Sequence, residues 1–356
     1  MNIPTMKPRI KDVHITPEMM NYISHIDQFN GSWEGGSLRL SPAELKVMKR
    51  VATIESVGSS NRIEGNRMSD EEVEALFSHI DKKSFRSRDE EEIAGYADLI
   101  NTIFESYAEI PLTENYLKQL HRILLRYSTK DEHHRGEYKT DSNRVAAFDA
   151  DGREIGSIFE TATPFDTPRL MHELIEWTQD TLSDRYLHPV ITIGIFIVHF
   201  LSIHPFTDGN GRLSRALTIL LMLRAGYSYM PYSSMDSIVE SSKESYYRAL
   251  RGTQRTIWGE QVQYEPWLAY FTASLQKQAQ NLKAKIAGLK QKHAQKLSGT
   301  SQAVLAIFTK DEALSMAEIA RKLPQKPETL RKAVQCLVRE GYLHKHGTTR
   351  GASYSL

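Results

Sequence analysis

The chain has 356 residues, of which 40% are hydrophobic and 25% charged. Those proportions are globular and exclude a fibrous repeat or a disordered chain, and the length allows two domains or three at roughly 150 residues each. The formal net charge of +1 is unevenly placed: residues 281–356 hold 14 Lys and Arg against 5 Asp and Glu, leaving 31 against 39 elsewhere, a basic tail on an acidic body. The single cysteine, Cys336, excludes an internal disulfide and a cysteine-built zinc centre, as a reducing compartment would have it.

Helical patterns dominate. Ser41-Pro42 opens a helix that runs to Ser60, with Ser as N-cap and Pro in the first turn. Asp70 to Phe77 and Glu90 to Tyr107 have apolar residues at helical spacing, and Thr113 caps a helix to Leu125. Asn143 to Phe148 and Arg153 to Phe159 flank Asp149-Ala-Asp-Gly152 and read as a β-hairpin. Pro168 to Leu182 is amphipathic. His188 to Ile203 is almost wholly apolar, which predicts a helix at the centre of a bundle. Its run falls short of the roughly 20 residues that span a bilayer, and MNIPTMKPRIKDVHI at the start has no apolar h-region. A cytoplasmic location is therefore expected.

Helices follow at Arg212 to Ala225, Ser242 to Arg251 and Glu265 to Leu289, and a polar connecting helix covers 276–297. Beyond Ser298-Gly299 come three short helical patterns, Gln302 to Phe308, Ser315 to Leu323 and Pro327 to Glu340. Two short strands end the chain. That order predicts a winged helix-turn-helix over 298–356. Arg331 and Lys332 on its third helix and Arg350 on its wing would meet DNA phosphates if DNA is the partner. Protein docking is the other reading.

The loop between the two central helices reads His204-Pro-Phe-Thr-Asp-Gly-Asn-Gly-Arg-Leu-Ser-Arg215. Gly209, Asn210 and Gly211 open a helix, where free backbone N–H groups and the helix dipole form an anion cradle. Arg212 and Arg215, three apart, add two guanidinium forks suited to a polyphosphate. Asp208 could hold Mg²⁺ against phosphate oxygens, and His204 at the loop entrance can accept a proton.

This stretch resembles the Fic family motif HxFx(D/E)GNGRxxR at every fixed position, and the likeness extends over about 112–275. The resemblance implies a mainly α, Fic-type helical bundle with the hairpin as a flap that aligns a target segment by strand addition. Its domains would be an N-terminal helical region at 1–111, a catalytic core at 112–275, the linker helix at 276–297 and the winged helix. It implies transfer of AMP from ATP to a Tyr, Thr or Ser hydroxyl of a protein, the chain itself included. His204 would be the base, Asp208 the Mg²⁺ ligand, and Gly209, Asn210, Gly211, Arg212 and Arg215 the phosphate site. Phe206 would anchor the loop. Gly211, where phosphate-transferring members carry Lys, argues for AMP. Tyr246, Tyr247 and Gln254 fall where the family often has adenine contacts.

Upstream, Ser60-Asn-Arg-Ile-Glu64-Gly65 resembles the family's inhibitory motif, (S/T)xxxE(G/N). Ser60 and Glu64 would share a helix face. The resemblance implies that Glu64 pairs with Arg215 and takes the place of the γ-phosphate. Two further activities stay open: removal of AMP from modified protein, and a DNA-binding regulator with a Fic body as sensor. A homodimer is a further partner left open. His199 reads as a core histidine, and His133-His134 as part of a solvated loop.

Overall fold

The structure, a computed structural model, describes residues 7–34, 40–78, 85–148, 154–309, 312–339, 342–347 and 351–356. The hairpin turn at 149–152, Arg153 and Arg350 lie outside the described residues. The chain divides into two compact units, Met1–Leu282 and Lys283–Leu356.

In the first unit the helices are α1 (Pro17–Glu34), α2 (Pro42–Ile63), α3 (Asp70–Ser78), α4 (Arg88–Ser106) and α5 (Glu114–Leu124). The hairpin β1 (Arg144–Phe148) and β2 (Glu154–Glu160) follows. After it come α6 (Thr167–Asp184), α7 (Pro189–Ile203), α8 (Asn210–Arg224), α9 (Asp236–Ser241), α10 (Lys243–Gln254) and α11 (Glu265–Lys296), of which the part up to Leu282 belongs to this unit. The fold is mainly α, as the periodicities predict.

Helix α7 is the axis of this unit. Every residue from Val190 to Ile203 is buried, because nearly all are apolar and neither face can meet water. Helices α6, α8 and α10 pack around it, and Trp267 Nε1 of α11 donates to Gly194 O at 2.7 Å. Buried Trp and backbone thus satisfy one another.

Helix α2 opens on a capping box between Ser41 and Glu44 and continues past Ser60 to Ile63. Glu64 is its C-cap, and Gly65 follows at φ +102°. The last two turns are buried from Val57 to Asn61 against the rest of the bundle. Helix α1 was not among the sequence-predicted elements. It buries Met19, Ile23, Ile26 and Phe29. The hairpin pairs antiparallel, Val145 opposite Phe159 and Ala147 opposite Gly156, with two register shifts.

The second unit contains α12 (Gly299–Ala306), β3 (Leu314–Ser315), α13 (Met316–Lys322), α14 (Pro327–Arg339), β4 (His344–His346) and β5 (Ser353–Ser355). Its antiparallel sheet has the order β3-β5-β4, one short strand more than the sequence predicts. Val304, Ile319, Leu330, Val334, Leu337 and Leu343 form its core. Arg331 and Lys332 are exposed on α14.

Candidate functional site

The loop from His204 to Gly209 turns the chain from the buried end of α7 into the start of α8. His204 is the C-cap of α7 at φ 53°, ψ 61°, a left-handed conformation uncommon outside glycine. Its Nδ1 lies 3.2 Å from Leu201 O. A carbonyl only accepts, so Nδ1 carries the proton of the neutral ring and Nε2 keeps its lone pair. Burial pushes the pKa of His204 down to about 4. The Leu201 carbonyl opposes that shift, the Lys139 charge adds to it, and Glu64 and Asp208 oppose it.

The loop is braced from within. Asn210 Oδ1 accepts from Phe206 N–H at 3.0 Å while Nδ2 donates to Phe206 O at 2.7 Å. The Asn210 side chain is therefore turned to the loop rather than to a ligand. Phe206 is fully buried and stacks on His121, ring centroids 3.9 Å apart. Phe206 thus anchors the loop in the core.

His121 of α5 was not singled out in the sequence. Its Nδ1 accepts from Gly136 N–H at 2.8 Å, so Nε2 bears the proton and donates to Asp208 O at 2.9 Å. Burial holds it neutral, with a pKa of about 4. Beside it, Gly209 adopts φ +80°, and a Cβ there would stand 3.0 Å from Leu124 Cδ2. The only sequence signal for His121 was a histidine on the apolar stripe Leu117, Leu120, Leu124.

Helix α8 starts at Asn210 with Gly209 as N-cap. The N–H groups of its first turn have no partner within the helix. Asp208 beside it accepts from Gly209 N–H at 2.6 Å through Oδ1. Arg212 Nη2 is 3.7 Å from Oδ1, and Arg88 Nη2 of α4 is 3.8 Å from Oδ2. Burial works against ionisation of Asp208, but Arg212, the Gly209 N–H and Arg88 outweigh it and hold its pKa below the usual carboxylate value.

The two arginines of the motif divide their work. Arg212 is 3% exposed; it faces Glu92 at 3.7 Å and Asn61 at 3.4 Å, and its Nε has no hydrogen-bond partner. Arg215 points the other way. Its Nε donates to Ser60 Oγ at 2.8 Å, and Nη2 donates to Ser60 O and to Glu64 Oε1, each at 2.8 Å. Behind it Asp236 Oδ1 lies 3.4 Å from Nε. Burial pushes Asp236 up, while Arg215, Ser60 and Tyr96 work to keep it charged. Asp236 and Tyr96 are also functional-site neighbours that sequence reading missed.

Glu64 thus reaches from the end of α2 to the guanidinium of Arg215. It also fills the space above Gly211, where a Cβ would stand 2.2 Å from Glu64 Oε1. Glu64, His204, Asp208, Gly209, Gly211, Tyr247 and Gln254 all line one open cleft of about 210 Å³. Tyr246 touches the same cleft but is 4% exposed and packs against Trp267 and Tyr270, so it belongs mainly to the core.

His199 Nε2 meets Tyr264 OH at 2.7 Å, and His134 pairs with the buried Asp131 at 2.9 Å instead of being free in solvent. Among the described residues no three His, Cys, Asp or Glu converge as a metal cluster, and no helix is long and apolar enough to cross a membrane.

Residues 111–222 match the Fic/DOC family. Over 191 residues, 52% of this chain, the sequence is 29% identical to the protein adenylyltransferase Fic of Drosophila sechellia. That match covers 36% of the relative, so the chain spans little more than a third of its length. A Fic family protein from Desulfovibrio desulfuricans has the same fold, with a TM-score of 0.63 at 20% identity and 97% of each chain covered. A Fic domain containing signaling protein from Bacteroides thetaiotaomicron gives a TM-score of 0.60 at 25% identity, over 74% of this chain and 97% of that one.

Proposed function

Starting from a chain whose residues 111–222 form a Fic/DOC family domain, we propose that it transfers AMP from ATP to a hydroxyl side chain of a protein, and that Glu64 restrains it. The observation that carries the reading is the cleft itself. It brings a histidine with a free Nε2 lone pair, the open start of α8 and a carboxylate seated on Arg215 into one cavity.

In the proposed reaction Nε2 of His204 takes the proton of a Tyr, Thr or Ser hydroxyl. The hydroxyl oxygen bonds to the α-phosphorus, the bond from that phosphorus to the β-bridging oxygen breaks, and pyrophosphate leaves with the electron pair. The first-turn N–H groups at Asn210 and Gly211 and the dipole of α8 stabilise the charge on the phosphates. Arg212 holds the end of the cleft near Asp208. Arg215 takes the γ-phosphate once Glu64 lets go. Tyr247 and Gln254 border the part of the cleft left for the adenine.

Asp208 is the residue that would hold Mg²⁺. One partly exposed carboxylate, kept ionised by its neighbours, fits an ion that takes its other ligands from water and phosphate. Bound there, the ion would neutralise charge between the α- and β-phosphates.

Two features make the inhibitory reading specific. Glu64 accepts a charge-assisted bond from Arg215, and it occupies the room over Gly211. An anion in that place competes with the γ-phosphate by charge and by volume. The test is incubation with labelled ATP and lysate, comparing the parent chain with Glu64→Gly and with Glu64→Gly/His204→Ala. Label should appear with the first variant and vanish with the second. Release of AMP from pre-modified protein by the parent chain would favour the reverse reaction. For the second unit, the basic balance and the exposed Arg331 and Lys332 support nucleic acid as a separate partner. Salt-dependent duplex binding unaffected by His204→Ala tests it.

A further inference from the structure

Four consecutive carbonyls run through His204, and each is bound from one short segment. Lys139 Nζ donates to Ile203 O at 3.0 Å, and the Lys139 backbone N–H donates to Pro205 O at 2.9 Å. Asn143 Nδ2 reaches His204 O at 3.4 Å and Phe206 O at 2.9 Å. Residues 139 and 143 thus bind alternate carbonyls along the stretch that holds His204 left-handed. A non-glycine residue keeps such a conformation only where its surroundings over-determine it.

The same two residues close the base of the hairpin. Lys139 Nζ also donates to Asn143 Oδ1 at 2.8 Å and to Thr161 Oγ1 at 2.9 Å. Thr161 Oγ1 lies 2.7 Å from Asn143 O and 2.6 Å from Asn143 Oδ1. Asn143 immediately precedes β1 and Thr161 immediately follows β2. The Asn143 amide has one consistent orientation here: Oδ1 faces donors and Nδ2 faces carbonyls.

Lys139 is 4% exposed and has a partner for each of its three donors, all of them uncharged oxygens. Burial pushes its pKa down to about 7. A buried amine without an acid beside it is a destabilising way to fill space, and a Met of similar length would avoid that cost. What the amine supplies in return is direction: three hydrogen bonds that converge from the loop and from both strand ends.

We propose that Lys139 and Asn143 are positioning residues for His204, which join the hairpin base and the loop backbone into one hydrogen-bonded unit. This rests on the reading of His204 as the proton acceptor. A target segment that pairs with the hairpin then meets a base whose backbone is set by the same contacts that hold the hairpin closed. Neither residue is among those lining the cleft, so neither touches the reacting groups directly.

The test uses the full chain in a Glu64→Gly background, with Lys139→Met and Thr161→Val. Hydrogen exchange reads the loop directly. In Lys139→Met the amides of Lys139, His204 and Phe206 should exchange at least about tenfold faster, while those of α11 stay unchanged. In AMP transfer kcat should fall roughly 10²-fold, the size of effect a misplaced catalytic group produces, with KM for ATP held within about twofold. Thr161→Val removes a hydroxyl and no charge, and should show the same pattern to a lesser degree. It decides the matter if Lys139→Met does not fold.

Unchanged loop exchange and unchanged kcat in a folded variant would overturn the proposal. So would exchange accelerated equally throughout residues 1–282, the mark of a merely structural role. The exchange arm is independent of the reaction. If the parent transfers no AMP to any hydroxyl while the loop responds as expected, the functional reading fails and the coupling stands. If AMP is transferred and the loop does not respond, the coupling fails and the reading stands.

Discussion

Gly211 and Glu64 share one space: an added Cβ on Gly211 would stand 2.2 Å from Glu64 Oε1, and that same oxygen accepts from Arg215 Nη2 at 2.8 Å. The second glycine of the motif therefore leaves room for an anion at the start of α8, and the chain's own carboxylate fills it. On the proposed function, self-inhibition and phosphate binding are alternatives at this one place, decided by which anion Arg215 holds.

Glu64→Gly should raise AMP incorporation roughly 10- to 150-fold, the equivalent of a charge-assisted bond of about 1.5–3 kcal/mol. The gain should depend on Arg215, since that guanidinium is the contested group. A double-mutant cycle with Arg215→Ala on incorporation rates measures the dependence. Additive effects at the two positions would contradict it.

Arg215→Ala should also cost stability, about 3–5 kcal/mol, because Asp236 would be left charged and buried without its cation. Adding Asp236→Asn should restore part of the loss, since the unpaired charge goes with it. Denaturant melts of the two single variants and the double variant check this. A double variant no more stable than Arg215→Ala would remove Asp236 from the account.

The acid limb of kcat/KM should lie well below pH 6.5, because burial keeps His204 neutral down to about pH 4. Stability should move in the same window. His121 and His204, with pKa values of about 4, and His199, at about 3, bind protons in the unfolded chain near pH 6.5 but not when folded. The unfolded state therefore holds more protons, and the contribution of these histidines to stability is full above pH 6.5 and falls as the pH drops toward 4. A pH–rate profile and urea midpoints across pH 4 to 7 are the measurements. An acid limb at 6.5 or above would contradict a buried neutral base.

Asp208→Asn should abolish the response of transfer to added Mg²⁺ while the fold is kept. Its carboxylate is the one acid named on the motif loop, and the Asn amide retains the size and an oxygen for Gly209 N–H. Calorimetry of Mg²⁺ with ATP and the chain, set beside activity, tests this. Metal-dependent transfer that survived at the parent's Mg²⁺ concentrations would assign the ion to another residue.

Much of this was written locally. The spacing of apolar residues placed α2, α4 to α8 and α10 near their observed bounds, and the all-apolar run of α7 set it at the centre because neither face could meet water. Met19, Ile23, Ile26 and Phe29 mark α1 as well, but Asn30-Gly31 and the polar residues between them obscure the pattern. The motif told which residue types stand at the start of α8, because an anion cradle needs glycines and a free helix end in direct sequence. Partners far apart in sequence were settled only in three dimensions. Arg212 and Arg215, three residues apart, go to different acids because Glu92 and Asp208 lie on one side and Glu64 and Asp236 on the other. Asn210 is drawn to the Phe206 backbone because both residues are buried and their polar groups bond within the protein. His121, Lys139 and Asn143 carry no motif at all. Their roles come from backbone carbonyls of a loop more than 60 residues away, and a sequence does not show which carbonyls a fold will leave to be bonded.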